Sequence, residues 1–258
     1  MDFGGVRMTA DGSIAHVTLA RPEKRNALSL DTLHALQAAL TAVADEAGAV
    51  ILSAEGPVFS AGHDMGEMLD RPDEFYNELF SASAATMDTI QRIPQPVIVK
   101  VQGPATAAGC QLVASCDLAV ASEDAWFATP GVKIGLFCTT PMVPVSRAVG
   151  RKRAMQMLLT GEPISAQTAV EWGLINEVVP ADRLDEAVDA MAGKIVQYST
   201  ETISIGKHAF YAQVGLTSAG AYEVAAPIMA GNAANVDAQE GMAAFLDKRD
   251  PQWTGRTG

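Results

Sequence analysis

Two short apolar runs constrain this chain more than any other feature. Ala49-Val50-Ile51-Leu52-Ser53 is stopped by Gly56-Pro57, and Pro96-Val97-Ile98-Val99-Lys100-Val101 is closed by Gly103-Pro104. Runs of that length between turn signals read as buried strands. Helical patterns lie around them. Ser29 has the character of an N-cap for a helix over about Leu30 to Asp45, with Leu33, Leu36, Leu40 and Val43 on one face. A second helical stretch runs from about Glu74 to Arg92. Ile14 to Leu19 alternates as a strand that Arg21-Pro22 ends, and Asp117 to Ala121 is a strand again. Strands alternating with helices imply α/β layering.

Beyond about residue 140 the strand signal fades, apart from Leu174 to Val179, and helical patterns dominate from Ala181 to Lys248. The organisation expected is an α/β core over 1–195 and a C-terminal helical section over 196–258. A Met- and Ala-rich helical tail packs either on a partner subunit or on its own core, and the pattern leaves both open. No repeat of fixed period is present.

Charge narrows the partners. Lys and Arg number 18 against 30 Asp and Glu, a formal net charge of −12. Such a surface repels a phosphate backbone and anionic lipid, so neither nucleic acid nor membrane is expected as a partner. Uncharged apolar runs such as Val224 to Ala230 fall far short of the ~20 residues that span a bilayer. Cys110, Cys116 and Cys138 form neither a disulfide framework nor a zinc pattern, and no metal is expected. The N-terminus lacks a basic region followed by an apolar run. A cytoplasmic setting is the expectation.

Two loops could carry chemistry. Val58-Phe59-Ser60-Ala61-Gly62-His63-Asp64-Met65 follows a strand and a Gly-Pro break. It reads either as a tight turn whose Asp caps the next helix, or as a functional loop at a strand end. His63 is either a base or simply solvated. The second loop runs from Gly103 to Leu112, where Ala107, Ala108 and Gly109 place nearly bare backbone at a helix start. Free N–H groups there bind an anion or a developing oxyanion. Close helix packing needs the same small residues. A third segment, Phe127 to Gly135, reads as a strand and a turn with nothing chemical in it. GxxxxGK[ST], GxGxxG, GxSxG and HExxH are all absent.

These pieces, taken in order, resemble the crotonase (enoyl-CoA hydratase/isomerase) superfamily over nearly the whole chain. Arg21-Pro22 with Asn26-Ala27-Leu28 resembles its early loop, Phe59 to Met65 its first oxyanion-hole loop, and Pro96 to Gly103 with Ala108-Gly109-Cys110 its second. Cys116-Asp117-Leu118, Leu159-Thr160-Gly161, Ile164-Ser165-Ala166, Gly173-Leu174, Gln239 to Met242, Phe245 and Lys248-Arg249 follow. The run Ala105 to Asp117, with Phe127 to Gly131, resembles the branch of enoyl-CoA hydratase domain-containing proteins.

The resemblance implies a crotonase-type spiral of ββα units with a C-terminal helical trimerisation region, assembled as a trimer or a dimer of trimers. It implies an acyl-CoA substrate, no resident cofactor, and a place among the lyases and isomerases of fatty acid metabolism. The thioester oxygen would sit between the backbone N–H groups of His63 and Ala108. Substrate contacts would involve Arg25, Ala27, Ala61, Gly62, Asp64, Met65 and Gly109. Phe245 and Lys248 of a neighbouring subunit would help hold the nucleotide.

Two departures qualify that picture. The positions aligned with the hydratase glutamates are Gln111 and Gly131. An amide cannot take a proton near neutral pH and glycine has no side chain, so paired-carboxylate chemistry is lost. The expectation is an oxyanion-stabilising acyl-CoA protein without hydratase machinery. Decarboxylation, thioester hydrolysis and non-catalytic acyl-CoA binding are the alternatives.

Overall fold

A computed structural model describes residues 1–43 and 47–254. In chain order, β1 (Val6–Asp11) and β2 (Ile14–Leu19) form a hairpin, then α1 (Leu30–Thr41) leads to β3 (Ala49–Ala54). A short α2 (Met65–Met68) and a long α3 (Asp73–Arg92) precede β4 (Val97–Val101) and β5 (Ala105–Thr106). Next come α4 (Ala108–Ser115), β6 (Leu118–Ser122) and β7 (Trp126–Ala128), then a 3-10 turn over Pro130–Ile134. α5 (Met142–Ala148), α6 (Arg151–Thr160), β8 (Ile164–Ser165), α7 (Ala166–Trp172) and β9 (Glu177–Val179) complete the mixed part. α8 (Leu184–Val196), α9 (Thr200–Gln213), α10 (Ser218–Ala233) and α11 (Val236–Asp247) close the chain.

Six strands form one sheet in the order β1-β2-β3-β4-β6-β9, antiparallel at the hairpin and parallel from β2 onward. A smaller sheet, β5-β7-β8, stands beside it. The burial of β3 explains its unbroken apolar run. Val50 and Leu52 join the main core, while Ile51 turns to the other face with Ile98 and Val120. There α8 covers them with Leu184, Val188 and Ala192. So α8, up to Val196, packs as part of the α/β body, and α9 begins beyond it.

Ser29 caps α1 as expected, its Oγ accepting from Thr32 N at 3.2 Å. The helix ends at Thr41, and the last part of the stretch expected to reach Asp45 lies outside the described residues. Strand β1 was not anticipated. Its Arg7, Thr9, Ala10 and Asp11 face solvent at the sheet edge, so little apolar alternation marks it.

The C-terminal helices are tied to the body by buried polar contacts. Lys207 on α9 sits 2.7 Å from Asp117, whose second oxygen accepts from Tyr211 Oη at 2.8 Å. Among the described residues, no helix is long and apolar enough to cross a membrane.

Candidate active site

The early loop acts as a splint for the loop from Phe59 to Met65. Asn26 is fully buried with a left-handed φ of 50°. Its Nδ2 donates to Glu55 O and Val58 O at 2.8 and 2.9 Å, and its Oδ1 accepts from Arg21 N at 3.0 Å. Ser60 Oγ donates to Asn26 O at 2.9 Å, and Ala61 N donates to Arg25 O at 3.0 Å. Arg25 and Ala61 are thereby neighbours at an exposed rim. Asp64 caps α2, its Oδ1 accepting from Gly66 N at 2.9 Å. The turn-and-cap reading of that loop is therefore correct as far as Asp64 goes.

The second loop is laced to the first. Thr106 N donates to Ser60 O at 2.9 Å, and Ser60 N donates to Pro104 O at 3.2 Å. Small residues make the contact possible. A Cβ on Gly62 (φ 88°) would lie 2.9 Å from Ala107 Cβ and 3.2 Å from Ala108 N. A Cβ on Gly109 would lie 2.4 Å from Ser60 O. Close packing of these small residues brings the backbone beside His63 against that of Ala108. Ala107 takes φ 49° and ψ −115°, a conformation that costs a residue with a Cβ on the order of 1–3 kcal/mol. That strain aims the first turn of α4.

His63 and Ala108 both wall a cavity of about 270 Å³. Ala108 is fully buried and His63 nearly so. Neither backbone N–H has a hydrogen-bond acceptor among the described residues. A buried N–H without a partner is uncommon and asks for an explanation. The rest of the wall is largely apolar. Ala61, Met65, Phe80 and Ala107 contribute, and the remainder comes from one stretch between Pro130 and Pro141.

Three wall residues can titrate: His63, Lys133 and Cys138. The Lys133 ammonium is paired with Glu162 at 2.7 Å. Burial pushes the Cys138 thiol above its ordinary range, and that of Cys110 to about 12. Burial also pushes His63 below its ordinary value, partly offset by its bond to Leu28. Its Nδ1 lies 3.1 Å from Leu28 O, so Nδ1 carries the hydrogen and Nε2 the lone pair. The ring meets Phe80 edge-on, with centroids 5.4 Å apart.

Gln111 and Gly131, the positions expected to align with the hydratase glutamates, differ in placement. Gly131 is on the wall, but a Cβ there would lie 2.0 Å from Leu136 O, and Leu136 N donates back to Gly131 O at 3.0 Å. The backbone has closed over the space. Gln111 is buried on α4 with its Oε1 unpartnered, and it opens on an adjoining cavity of about 310 Å³. Thr140 walls both cavities. Phe245 is 83% exposed on α11, Lys248 terminates that helix with a left-handed φ, and neither walls the cavity.

One reading is corrected. The segment Phe127 to Gly135, taken to hold nothing chemical, supplies Pro130, Gly131, Lys133 and Ile134 to the wall. Sequence reasoning also missed Phe80, Cys138 and the splint role of Asn26. The Pro-Gly at 130–131 was a signal for a turn, and nothing in it told of a cavity.

A family model described as enoyl-CoA hydratase/isomerase matches residues 9–256. The human protein named enoyl-CoA hydratase domain-containing protein 3, mitochondrial, is 48% identical over 244 residues, covering 93% of this chain and 80% of the relative. The crystal structure of human enoyl-CoA hydratase domain-containing protein 3 matches with a TM-score of 0.94 at 46% identity, covering 96% of this chain and 100% of that one. An enoyl-CoA hydratase crystal structure from Mycobacterium smegmatis matches with the same TM-score, 0.94, and 46% identity, covering 96% and 98%. These likenesses bear out the α/β, crotonase-type spiral and the branch that the residues resembled.

Proposed function

The chain belongs to the enoyl-CoA hydratase/isomerase family, and from that premise we propose that it binds an acyl-CoA and stabilises negative charge on the thioester oxygen. The observation that carries this reading is the pair of buried backbone N–H groups, His63 and Ala108, left without acceptors on one apolar cavity. Donors fixed in place before charge develops are each worth roughly 2.7–4 kcal/mol to the step that forms it. The acyl group occupies the cavity. The nucleotide leaves past the rim of Arg25, Ala27, Ala61 and Asp64, with Gly62, Met65 and Gly109 flanking the thioester. The chemistry is enolate formation, without a resident cofactor.

Hydration is not the reaction we assign. It needs paired proton-transfer groups on the acyl chain, and an amide at Gln111 and a closed backbone at Gly131 supply none. We further infer self-association as a trimer or a dimer of trimers. The apolar α10 has no buried residue, and Tyr222 and Met229 on it are 76% and 69% exposed. Phe245 and Lys248 would then reach the nucleotide of a neighbouring copy. The cytoplasmic setting stays a proposal, because vertebrate relatives carry the word mitochondrial in their names.

Infrared difference spectroscopy of a bound acyl-CoA tests the reading. The thioester carbonyl stretch should fall relative to free ligand. Gly62→Ala, which forces a methyl between the two loops, should shrink that fall. No lowering in the unmodified protein would sink the proposal.

A further inference from the structure

We propose that the site takes an acyl-CoA whose chain ends in a second carboxylate, and that Arg147 on α5 binds this far end. The inference rests on the oxyanion reading above, which fixes the near end of the acyl group, and adds what the far end must be.

The acyl cavity is the first part of a longer corridor. The cavity of about 310 Å³ that adjoins it shares Thr140 as a wall. Three helical stripes run from one cavity to the next. On α3, Phe80 walls the first, and Ala84, Asp88 and Gln91, one to three turns on, wall the second. On α4, Ala108 walls the first, and Gln111 and Ser115 wall the second. On α5, Val143, Pro144 and Arg147 continue from Thr140. Such spacings place each set on one face of its helix. The same elements therefore flank both cavities from end to end.

Helix α4 also gives the corridor a length. At about 1.5 Å per residue, Gln111 lies about 4.5 Å and Ser115 about 10.5 Å beyond Ala108 along the axis. The thioester oxygen, in the proposed function, is held at Ala108 N. A suberoyl chain extends over a comparable distance. Its methylenes would lie against Phe80, Ala84 and Met87, the apolar part of the α3 stripe.

Charge selects the end group. Lys133 on the first cavity is paired with Glu162 at 2.7 Å, and Asp88 on the second with Arg92 at 2.8 Å. Burial opposes charge on His63 and Cys138. Arg147 has no ion-pair partner among the described residues, and its one hydrogen bond runs from Nη1 to Val143 O at 2.8 Å. Val143 is itself a wall residue of the second cavity, so this bond folds the guanidinium back along α5 toward that cavity. In a chain of net charge −12, the one uncompensated charge of the corridor, among the described residues, is thus positive. The rest of the guanidinium fork has no acceptor among them. A carboxylate is the chain end that this fork matches, through two parallel bonds.

The test compares suberoyl-CoA with octanoyl-CoA, chains of equal length that differ in the end group, by titration calorimetry on the full-length protein. Suberoyl-CoA should bind more tightly. Arg147→Met should weaken it by roughly 10–100-fold, the usual worth of a hydrogen bond to a charged group. Octanoyl-CoA should bind that variant nearly as before, which also shows that the fold survives. Arg147→Lys keeps the charge without the fork and should fall between. The lowered thioester carbonyl stretch should persist in both variants, because the near end is held elsewhere. Octanoyl-CoA binding the unmodified protein as tightly as suberoyl-CoA, or more tightly, overturns the proposal. So does unchanged suberoyl-CoA binding in Arg147→Met. Equal weakening of the two ligands there overturns it as well, since Arg147 would then serve the nucleotide or the fold. A carbonyl stretch lowered for neither ligand would sink the oxyanion reading and this inference with it.

Discussion

The ammonium of Lys207 lies 2.7 Å from Asp117 Oδ2 and 2.7 Å from the carbonyls of both Ile90 and Gln95. Three acceptors surround it, one charged and two neutral. Asp117 in turn accepts from Val97 N at 2.7 Å, where β4 begins. One side chain of α9 therefore joins the end of α3, the start of β4 and the turn into β6. Burial pushes the ammonium below its ordinary range and Asp117 restores part of the loss.

Lys207→Ala leaves a buried carboxylate without its cation. The expected cost is about 3–5 kcal/mol. Urea unfolding measures it, and a change under about 1 kcal/mol would show that α9 is held by apolar packing instead.

Gly131→Ala should destabilise the fold by at least about 1–3 kcal/mol, the usual range for overpacking. The obstacle is backbone: the new methyl would sit 2.0 Å from Leu136 O. Gly131→Glu should do worse and restore no hydratase activity. Thermal unfolding decides the first point, and an Ala variant as stable as the parent would mean the turn opens freely.

His63 should give stability an acid limb. Its imidazole is held neutral by burial, so its folded-state pKa lies below the unfolded value near 6.5. The unfolded chain takes up a proton that the folded chain refuses. Stability therefore falls as pH drops through about 6.5 toward the folded value. Denaturant titrations at pH 8 and pH 5 should show a larger loss for the parent than for His63→Gln. Equal losses would mean the imidazole is solvated.

Crotonyl-CoA should bind but turn over far below the roughly 1–10³ per second of ordinary enzymes. The measurement is loss of the conjugated enoyl absorbance. Turnover inside that range would require a water-activating group that Gln111 and Gly131 do not supply.

Light scattering at micromolar concentration should give three or six times the chain mass. A monomer would leave Tyr222, Met229, Phe245 and Leu246 bare, each more than two-thirds exposed.

How much of this was legible in the residues depends on where the information resides. Strand β2 matches its expected bounds, Ile14–Leu19, because alternation there reports burial on one face only. Ser29 and α1 were legible because a cap and an apolar stripe are local. β1 was hidden because an edge strand has little apolar alternation. In the site, the small residues at 107–109 pointed to exposed backbone, while the missing acceptors of His63 and Ala108 exist only in three dimensions. The least legible part was residues 130–141, whose role depends on a carbonyl, that of Leu136, folding back over Gly131. No pattern of side chains announces such a contact.

The division of the cavity wall has an evolutionary side. The proposed donors sit on two loops stitched together at Ser60, Gly62 and Thr106, while most of the slot is one uninterrupted stretch from Pro130 to Pro141. In the proposed function, polarising power and acyl preference therefore reside on separate stretches of the chain. Replacing Ile134, Leu136 or Phe137, all at least a third exposed, would resize the slot with the donors undisturbed. A lineage could exchange substrates by drift within that stretch while its two loops stayed fixed, and a laboratory graft of the same stretch between relatives should carry chain-length preference with it.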